Sequence, residues 1–316
     1  MKKDSRIYIA GSTGLTGSAV VRELKRKGYE NLITDRVNLI NPEQVAEFFS
    51  DELPDIVFNC AAHAGGIMEA IGKPAEMIYD NLMIQANIID ACNKHGVKKL
   101  LNLGSSCIYP VDAEQPYKEE QIGDGKTDEN WSYAIAKIAA VEMCRAYYRQ
   151  YGCNFISAIP CNLYGPNDNF GDNGHVIPML IRKFHESKHQ KGSVVKVWGD
   201  GTPRREFLYS DDFADCVVML MEKYNYEDLC NGIVNIGCGE DVTINSLRTI
   251  VSDVVENYSF VKQEFDKPNG VPSKLMDSSR IRELGWEPKI SLQEGIEKTY
   301  AYYRTYCKSC QCNTRS

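Results

Sequence analysis

The sequence lacks the features that would point to a membrane, a nucleic acid or the cell exterior. It contains no run of about 18 apolar residues, so we expect no membrane-spanning segment. Its start, Met-Lys-Lys-Asp-Ser, leads into a β-prone run rather than an apolar signal segment, so nothing there suggests secretion. Lys and Arg number 36 against 43 Asp and Glu, and the net charge of −7 argues against nonspecific binding to nucleic acids or anionic membranes.

Cysteine, by contrast, is plentiful, and most of the 12 residues stand inside apolar strand-like or helix-like runs. Such positions predict reduced, buried thiols in a cytoplasmic protein. Examples are Cys60, Cys92, Cys144 and Cys216. Near the C-terminus, Cys307, Cys310 and Cys312 could ligate zinc, but a fourth ligand is not evident nearby. We therefore expect residues 307–316 to form a disordered polar tail and the protein to hold no metal.

The order of the hydrophobic patterns predicts the fold class. Strand-like and helix-like segments alternate over the first half of the chain, which is typical of an α/β fold with a Rossmann-type, doubly wound parallel sheet. The strands are predicted at residues 6–10, 31–34, 55–60, 99–103 and 154–159, and the helices at residues 18–27, 42–50, 77–95 and 133–151.

The domain organisation follows from length and from a change of pattern. With 316 residues and 43% hydrophobic content, the chain can bury a large core as one or two domains. Beyond about residue 165 the alternation gives way to segments rich in proline, glycine and aromatic residues. We predict a dinucleotide-binding domain over residues 1–165 and a smaller C-terminal α/β lobe that binds substrate over residues 166–316. Because the lobe should be interwoven with the sheet, this boundary is approximate.

A glycine-rich segment directly follows the first predicted strand. Gly11, Gly14 and Gly17 have the spacing Gly-x-x-Gly-x-x-Gly and precede a helix-like segment that ends at Gly28. In this strand–turn–helix context, glycines let backbone N–H groups approach a pyrophosphate at the helix N-terminus. The predicted cofactor-binding turn therefore consists of Gly11, Ser12, Thr13, Gly14, Leu15, Thr16 and Gly17.

Two residues after the second predicted strand give conflicting indications about the cofactor. An acidic residue such as Asp35 suits a ribose 2′-hydroxyl, whereas an arginine such as Arg36 can hold the 2′-phosphate of NADP. We favour NADP(H) bound by Arg36, with Asp35 turned away; Asp35 as the ribose ligand is the alternative.

Tyr133 and Lys137 stand four positions apart, downstream of Gly104-Ser105-Ser106-Cys107. Residues i and i+4 share one face of a helix, so the Lys137 ammonium should lie beside the Tyr133 phenol. A nearby cation favours phenolate and should lower the pKa of Tyr133 from the usual value of about 10. Tyr133 would then be a proton donor or acceptor near neutral pH. An ordinary amphipathic helix with a buried tyrosine is the structural alternative.

Ligands of doubly wound sheets collect at the carboxyl ends of the strands. Residues at those ends should therefore extend the cofactor site. They are Ala61, Ala62, Leu103, Pro160, Asn162 and Leu163.

These motifs, taken together, resemble the extended short-chain dehydrogenase/reductase family of sugar-nucleotide enzymes, over residues 1 to about 300. Within that family the chain is similar to the GDP-L-fucose synthases. The narrower resemblance is carried by residues 104–110, 133–137, 162–166, 175–178 and 205–207. It implies NADP(H) as cofactor, a homodimer, and one site that converts GDP-4-keto-6-deoxy-D-mannose to GDP-L-fucose by 3,5-epimerisation and 4-keto reduction.

The resemblance also implies roles for the catalytic residues. A ketone at C4 acidifies the hydrogens on C3 and C5, and inversion of each centre needs a base on one face and an acid on the other. Cys107 would be the base and His175 the acid. In the reduction, Tyr133 would protonate the C4 oxygen and Ser105 would hydrogen-bond it. Lys137 would hold Tyr133 and the nicotinamide ribose, and Tyr133, Lys137 and His175 would all contact the cofactor.

A site for the GDP-sugar is implied in the same way, with positive charge to offset the diphosphate and an aromatic wall. Its residues would be Ser106, Asn162, Lys183, Trp198, Arg205 and Lys274. Surface ion pairing explains Lys183 and Lys274 equally well. The chain departs from the family in residues 11–14, where an arginine that often contacts the 2′-phosphate is absent.

Other functions on this fold stay open. A 4,6-dehydratase would carry Asp-Glu in place of Ser106-Cys107, and a 4-epimerase would lack the Cys and His pair and keep its cofactor as NAD. An epimerase/reductase that acts on a related GDP-4-keto heptose or dideoxy sugar would share the motifs of the reacting centre. A catalytically idle NADP-binding sensor would not need Ser105, Tyr133 and Lys137 together.

Overall fold

The chain folds into short strands and amphipathic helices, and the elements predicted from the sequence lie close to their predicted positions. The computed structural model describes residues 1–123, 125, 131–188, 192–266 and 269–313. The strands are β1 (Ile7–Ala10), β2 (Leu32–Ile33), β3 (Ile56–Asn59), β4 (Lys99–Leu103), β5 (Phe155–Pro160), β6 (Asn162–Tyr164), β7 (Val194–Trp198), β8 (Arg204–Tyr209), β9 (Ile233–Ile236), β10 (Asp241–Thr243), β11 (Phe260–Glu264) and β12 (Ser273–Lys274). The helices are α1 (Leu15–Arg26), α2 (Pro42–Glu52), α3 (Ile67–Gly72), α4 (Pro74–Lys94), α5 (Trp131–Tyr151), α6 (Val176–Ser187), α7 (Ser210–Lys223), α8 (Ile244–Val255), α9 (Ser279–Glu283) and α10 (Leu292–Asn313).

Six parallel strands form the large sheet in the order β2-β1-β3-β4-β5-β9. All residues of β1, β3, β4 and β5 are buried, as expected for a parallel sheet covered on both faces. From β1 the chain adds β2 on one side and then returns to add β3 on the other, which creates a switch point between β1 and β3. The predicted doubly wound α/β sheet is therefore confirmed.

Successive residues of β1 serve the two layers of the core, because side chains of a strand alternate between its faces. Ile7 and Ile9 pack in a cluster with residues of α1 and α7. Tyr8 and Ala10 pack on the other face, in a cluster with residues of α2, α4 and α5. The sheet is thus enclosed between two helical layers, and its carboxyl edge stays accessible.

A second lobe surrounds β8, which pairs with β6, β10 and β12, while β7 pairs with β11. Helices α6, α8 and α10 contribute Ile181, Leu247 and Ile296 to its core. Strand β9 and helix α7 come after residue 165 in the sequence but belong to the large sheet and its helical cover. The boundary at residue 165 stays a prediction, and the large sheet draws on both sides of it.

The last helix runs further than the sequence analysis predicts. Helix α10 continues to Asn313, whereas we expected disorder from residue 307. Residues 307–313 contain neither Gly nor Pro, so no strong helix breaker ends α10 earlier. The side chains of the three clustered cysteines, and residues 314–316 altogether, lie outside the described residues.

Two further observations concern that described part of the chain. Nowhere within it do three or more His, Cys, Asp and Glu side chains come together as a metal-binding group. None of its helices combines the length and apolar character needed to cross a bilayer.

Candidate active site

The carboxyl ends of β1, β3, β4 and β5 border a cleft with a cavity of about 460 Å³. This is the switch-point edge at which ligands of doubly wound sheets bind. Most of the predicted site residues line the cavity. They are Gly14, Leu15, Thr16, Ala62, Leu103, Ser105, Ser106, Cys107, Tyr133, Lys137, Pro160, Asn162, Leu163, His175 and Lys274.

In the glycine turn between β1 and α1, the backbone lies too close to neighbouring backbone to leave room for side chains at two glycines. Gly11 has a φ of +74°, and a Cβ there would lie 2.9 Å from the Cα of Ala61. A Cβ on Gly17 would collide with the carbonyl oxygen of Gly11. Helix α1 begins at Leu15 with no side-chain cap from Gly14 and no acidic residue in its first turn. Its positive dipole end therefore faces the cleft, where it favours an anionic ligand.

Hydroxyl groups tie this turn to the end of β2. Arg36 Nη2 donates to Thr13 Oγ1 at 3.0 Å, and Ser12 Oγ donates to the carbonyl oxygen of Thr34 at 3.1 Å. Arg36 and Asp35 are both exposed. A guanidinium and two hydroxyls thus lie beside the start of the glycine turn, a donor set suited to a phosphate.

A short 3-10 turn after β4 places a hydroxyl and a thiol at the cleft. Ser105 precedes the turn Ser106–Ile108, and its Oγ accepts a hydrogen bond from the backbone N–H of Cys107 at 3.4 Å. A Cβ on Gly104 would press on the end of the Ile159 side chain on the neighbouring strand, which would have to shift to admit it. Cys107 is buried yet lines the cavity.

Tyr133 and Lys137 lie on one face of α5, as their spacing predicts. The ammonium of Lys137 lies 5.7 Å from the centre of the Tyr133 ring and donates to the carbonyl oxygen of Leu103 at 2.6 Å. Lys137 is only 1% exposed. The bond to Leu103 fixes the start of α5 against the end of β4.

The predicted lowering of the Tyr133 pKa is wrong. Burial, assisted by the nearby thiol of Cys107, raises the pKa of Tyr133 well above 10. Burial also lowers the pKa of Lys137 to about 8. The prediction fails because a dry environment disfavours phenolate, while the ammonium is bound to the Leu103 carbonyl rather than to the phenol. Tyr133 is consequently a protonated phenol at neutral pH, which suits a proton donor.

His175 lies at the N-terminus of α6, on the wall of the same cavity as Cys107. Its side chain is 54% exposed, and Nδ1 lies 3.6 Å from Oδ1 of Asp168, whose side chain is 3% exposed. The Asp168 carboxylate raises the pKa of His175 above its usual range, and partial desolvation of the ring opposes this without reversing it. The structure therefore brings together a thiol and an imidazole from distant parts of the sequence.

This arrangement of sheet, glycine turn and Tyr-Lys helix agrees with a comparison against known families. Residues 7–237 match the model of the NAD dependent epimerase/dehydratase family. The chain belongs to that family. Membership confirms the predicted class of enzyme and a nicotinamide dinucleotide as its class of cofactor.

Named members of the epimerase/dehydratase family are similar over nearly the whole chain. GDP-L-fucose synthase 1 of Arabidopsis thaliana is 46% identical over 95% of this chain and 94% of that protein. A crystal structure of a GDP-6-OMe-4-keto-L-xylo-heptose reductase from C. jejuni is 36% identical, with a TM-score of 0.91 over 97% of this chain and 99% of its own. A GDP-L-fucose synthetase from Naegleria fowleri bound to NADP is 26% identical, with a TM-score of 0.88 over 98% and 95%. These likenesses confirm the predicted resemblance and the Rossmann-type fold.

Lys183, Trp198 and Arg205 do not line the cavity. All three were predicted to bind the nucleotide sugar. Lys183 on α6 donates to the carbonyl oxygen of Lys196 at 2.7 Å, two positions before Trp198 on β7. Arg205 is opposite Lys274 in the pairing of β8 with β12, and Lys274 does line the cavity. Asn162 is held by a bond of 2.8 Å from its Nδ2 to the carbonyl oxygen of Glu206. Their role in binding stays a prediction.

Several residues of the cleft were not predicted. They include Cys60, Gly65, Gly66, Met77, Asn167, Asp168 and Asn169. For Asp168 a partial signal existed, because the Gly-Pro-Asn-Asp-Asn segment of residues 165–169 has the composition of a turn and precedes His175. For Met77, which lies in α4, the sequence gives no such signal.

Proposed function

We propose that the protein converts GDP-4-keto-6-deoxy-D-mannose to GDP-L-fucose, with NADPH as the reductant. The observation that carries this proposal is the presence of Cys107, His175, Ser105 and Tyr133 in one cavity. A thiol with an imidazole serves epimerisation, and a hydroxyl with a phenol serves ketone reduction. The similarity to a GDP-L-fucose synthase over nearly the full length supports the same substrate.

Epimerisation uses the acidity that the C4 ketone gives to C3 and C5. The thiolate of Cys107 removes a proton from the carbon, and the negative charge delocalises onto the C4 oxygen as an enolate. The imidazolium of His175 then delivers a proton to the opposite face of that carbon. After one inversion Cys107 is a thiol and His175 is neutral, so both must exchange a proton before the second. The half-exposed side chain of His175 allows that exchange with water.

Reduction of the C4 ketone needs a proton on oxygen and a hydride on carbon. Tyr133 donates the proton, since its phenol is protonated at neutral pH. Ser105 hydrogen-bonds the same oxygen. Lys137, anchored at the Leu103 carbonyl beside the Tyr133 ring, would hold the nicotinamide ribose. When bound, NADPH supplies the hydride.

The residues of the glycine turn fit a dinucleotide. Side chains at Gly11 and Gly17 would fill space that the turn keeps for close backbone approach, and the start of α1 offers N–H groups to a pyrophosphate. Arg36 with Thr13 supports NADP rather than NAD, because a 2′-phosphate needs a guanidinium at this place. The related synthetase bound to NADP supports the same choice.

The remaining parts of the proposal concern the nucleotide end and the assembly. The GDP moiety would be bound by Lys274, which lines the cavity, and by Arg205, which is opposite Lys274 in the strand pairing. Lys183 on α6 and Trp198 on β7 would complete this site. A homodimeric state stays a prediction from the resemblance, and a cytoplasmic location stays a prediction from the sequence.

A second candidate substrate is a GDP-4-keto heptose, which the similarity to the heptose reductase favours. The test is to mix the protein and NADPH with each GDP-4-keto sugar and to determine the stereochemistry of the product. GDP-L-fucose from the 6-deoxy substrate supports the proposal. Turnover of the heptose alone would transfer the assignment to that sugar.

A further inference from the structure

The turn that follows β6 carries a buried carboxylate directly beside the proposed acid of the epimerisation. Asn167 adopts a φ of +67°, and its Nδ2 donates to the carbonyl oxygen of Thr13 at 3.5 Å. The backbone N–H of Asp168 donates to the carbonyl oxygen of Gly165 at 3.3 Å. These contacts hold the turn against the glycine loop and fix where the Asp168 side chain lies.

The two oxygens of Asp168 have different surroundings. Oδ1 accepts the backbone N–H of Asn169 at 2.8 Å and lies 3.6 Å from Nδ1 of His175. Oδ2 is buried and has no hydrogen-bond partner among the described residues. A buried carboxylate oxygen without a hydrogen bond destabilises the folded protein. The presence of Asp168 at this position therefore points to a functional use.

Charge in the cavity gives this carboxylate a particular role. Among the described residues that line the cavity, Asp168 is the one carboxylate. The other titratable side chains of the lining are Cys60, Cys107, Tyr133, Lys137, Cys161 and Lys274. Lys137 and Lys274 carry the positive charge of the lining, and Asp168 is the group on this wall whose carboxylate raises the pKa of His175 and so stabilises the imidazolium.

We propose that Asp168 is the positioning residue of His175: it accepts the Nδ1 proton of the imidazole and so presents Nε2 to the sugar. This inference rests on the proposed epimerisation, in which His175 is the acid. The separation of 3.6 Å is longer than a hydrogen bond, and such contacts between catalytic groups commonly shorten when substrate binds. Oδ2 gives Asp168 a second acceptor for the same N–H if the ring turns. The carboxylate acts through His175 and does not touch the reacting carbon.

The test uses the isosteric substitution Asp168→Asn, which removes the charge and keeps the shape. In the free protein, the titration of each of the 5 histidines is followed by NMR, and the His175 signal is assigned by its loss in His175→Gln. We expect the pKa of His175 to fall in Asp168→Asn. Asp172→Asn is the matched control, because Asp172 is 91% exposed and pairs with Arg182; there the His175 titration should not change.

Two activity measurements separate the steps. Incorporation of deuterium from heavy water at the carbons next to the ketone reports proton transfer. We expect it to slow roughly 10²-fold in Asp168→Asn, because less of His175 is then protonated and correctly oriented. Oxidation of GDP-L-fucose by NADP⁺ reports hydride transfer without epimerisation and should keep its rate. As pH rises, the exchange of the variant should fall at a lower pH than that of wild type, because His175 loses its proton sooner.

An unchanged His175 titration in Asp168→Asn would overturn the inference. So would a wild-type imidazole whose neutral form carries its proton on Nε2, a measurement on the unaltered protein that does not depend on whether the variant folds. Failure of the proposed function has a different signature, since the wild type would then incorporate no deuterium with the GDP-keto sugar. The titration would still decide the role of Asp168 in that case.

Discussion

Lys137 donates a hydrogen bond of 2.6 Å to the carbonyl oxygen of Leu103, 34 positions away in the sequence. The bond joins the first turns of α5 to the end of the strand that leads into Ser105 and Cys107. The bond therefore links the helix that carries Tyr133 to the strand end that precedes Cys107. The ammonium is thus a structural link as well as a neighbour of the phenol.

Removal of the phenol should abolish reduction selectively. In Tyr133→Phe, we expect hydride transfer to fall roughly 10²- to 10⁴-fold, because the C4 oxygen loses its proton donor. NADPH binding, measured by fluorescence, should persist. Tyr151→Phe is the matched control on the same helix, where the side chain is exposed. Full NADPH consumption by Tyr133→Phe would contradict the assigned role.

The lowered pKa of Lys137 predicts a pH-dependent contribution to stability. The unfolded chain keeps this proton up to a pKa near 10.5, whereas the folded protein releases it at about 8. Between these values the unfolded state binds more protons, so the free energy of unfolding rises with pH. Below pH 8 Lys137 is protonated in both states, so the folded protein keeps the full free-energy cost of burying the ammonium.

We therefore expect wild type to gain stability relative to Lys137→Met between about pH 8 and 10.5, by on the order of 3 kcal/mol. Denaturant unfolding over this pH range measures the difference. Lys25→Met, at an exposed position of α1, should show a flat difference from wild type. If the difference in free energy of unfolding between wild type and Lys137→Met also stayed constant with pH, the buried lysine would not titrate between pH 8 and 10.5.

Loss of the thiol should stop epimerisation and spare reduction. In Cys107→Ser, deuterium incorporation at C3 and C5 should fall at least about 10²-fold, because a hydroxyl is a far weaker base at neutral pH. Oxidation of GDP-L-fucose by NADP⁺ should continue. Cys153→Ser serves as the control, since that thiol bonds to Asn93 away from the cavity. Normal labelling in Cys107→Ser would remove the thiol from the mechanism.

Arg36 should decide between the two nicotinamide cofactors. In Arg36→Ala we expect the KM for NADPH to rise roughly 10- to 100-fold, the scale of a lost charge-assisted hydrogen bond, with little change for NADH. Steady-state kinetics with both cofactors provide the internal comparison. Equal efficiency of NADPH and NADH in wild type would instead identify Asp35, acting on a ribose hydroxyl, as the determinant.

The elements of the fold that depend mainly on residues close together in the sequence were predicted from local sequence patterns. The strand β4 was predicted with its observed bounds, because a fully buried strand is a continuous run of mostly apolar residues. The turn before α1 was predicted because its left-handed backbone at Gly11 favours glycine. Helix and strand ends shifted by a few residues, since hydrogen bonding at termini depends on neighbouring elements.

Features that depend on distant contacts were not predicted. The pKa of Tyr133 is set by how much of the protein closes around it, which the spacing to Lys137 does not reveal. Asp168 approaches His175 because the turn after β6 folds back against Thr13. The joint placement of Cys107 and His175 came from a family resemblance rather than from pattern, since nothing local joins their positions.

The position of β9 has a consequence for biosynthesis. This strand forms hydrogen bonds with β5 along one side of the large sheet, yet it comes from residues 233–236. A nascent chain that has just completed β5 therefore has an open strand edge, a site at which other chains can pair. The ribosome must add the intervening segment before the edge is closed, so the nucleotide-binding half reaches its finished form late in translation.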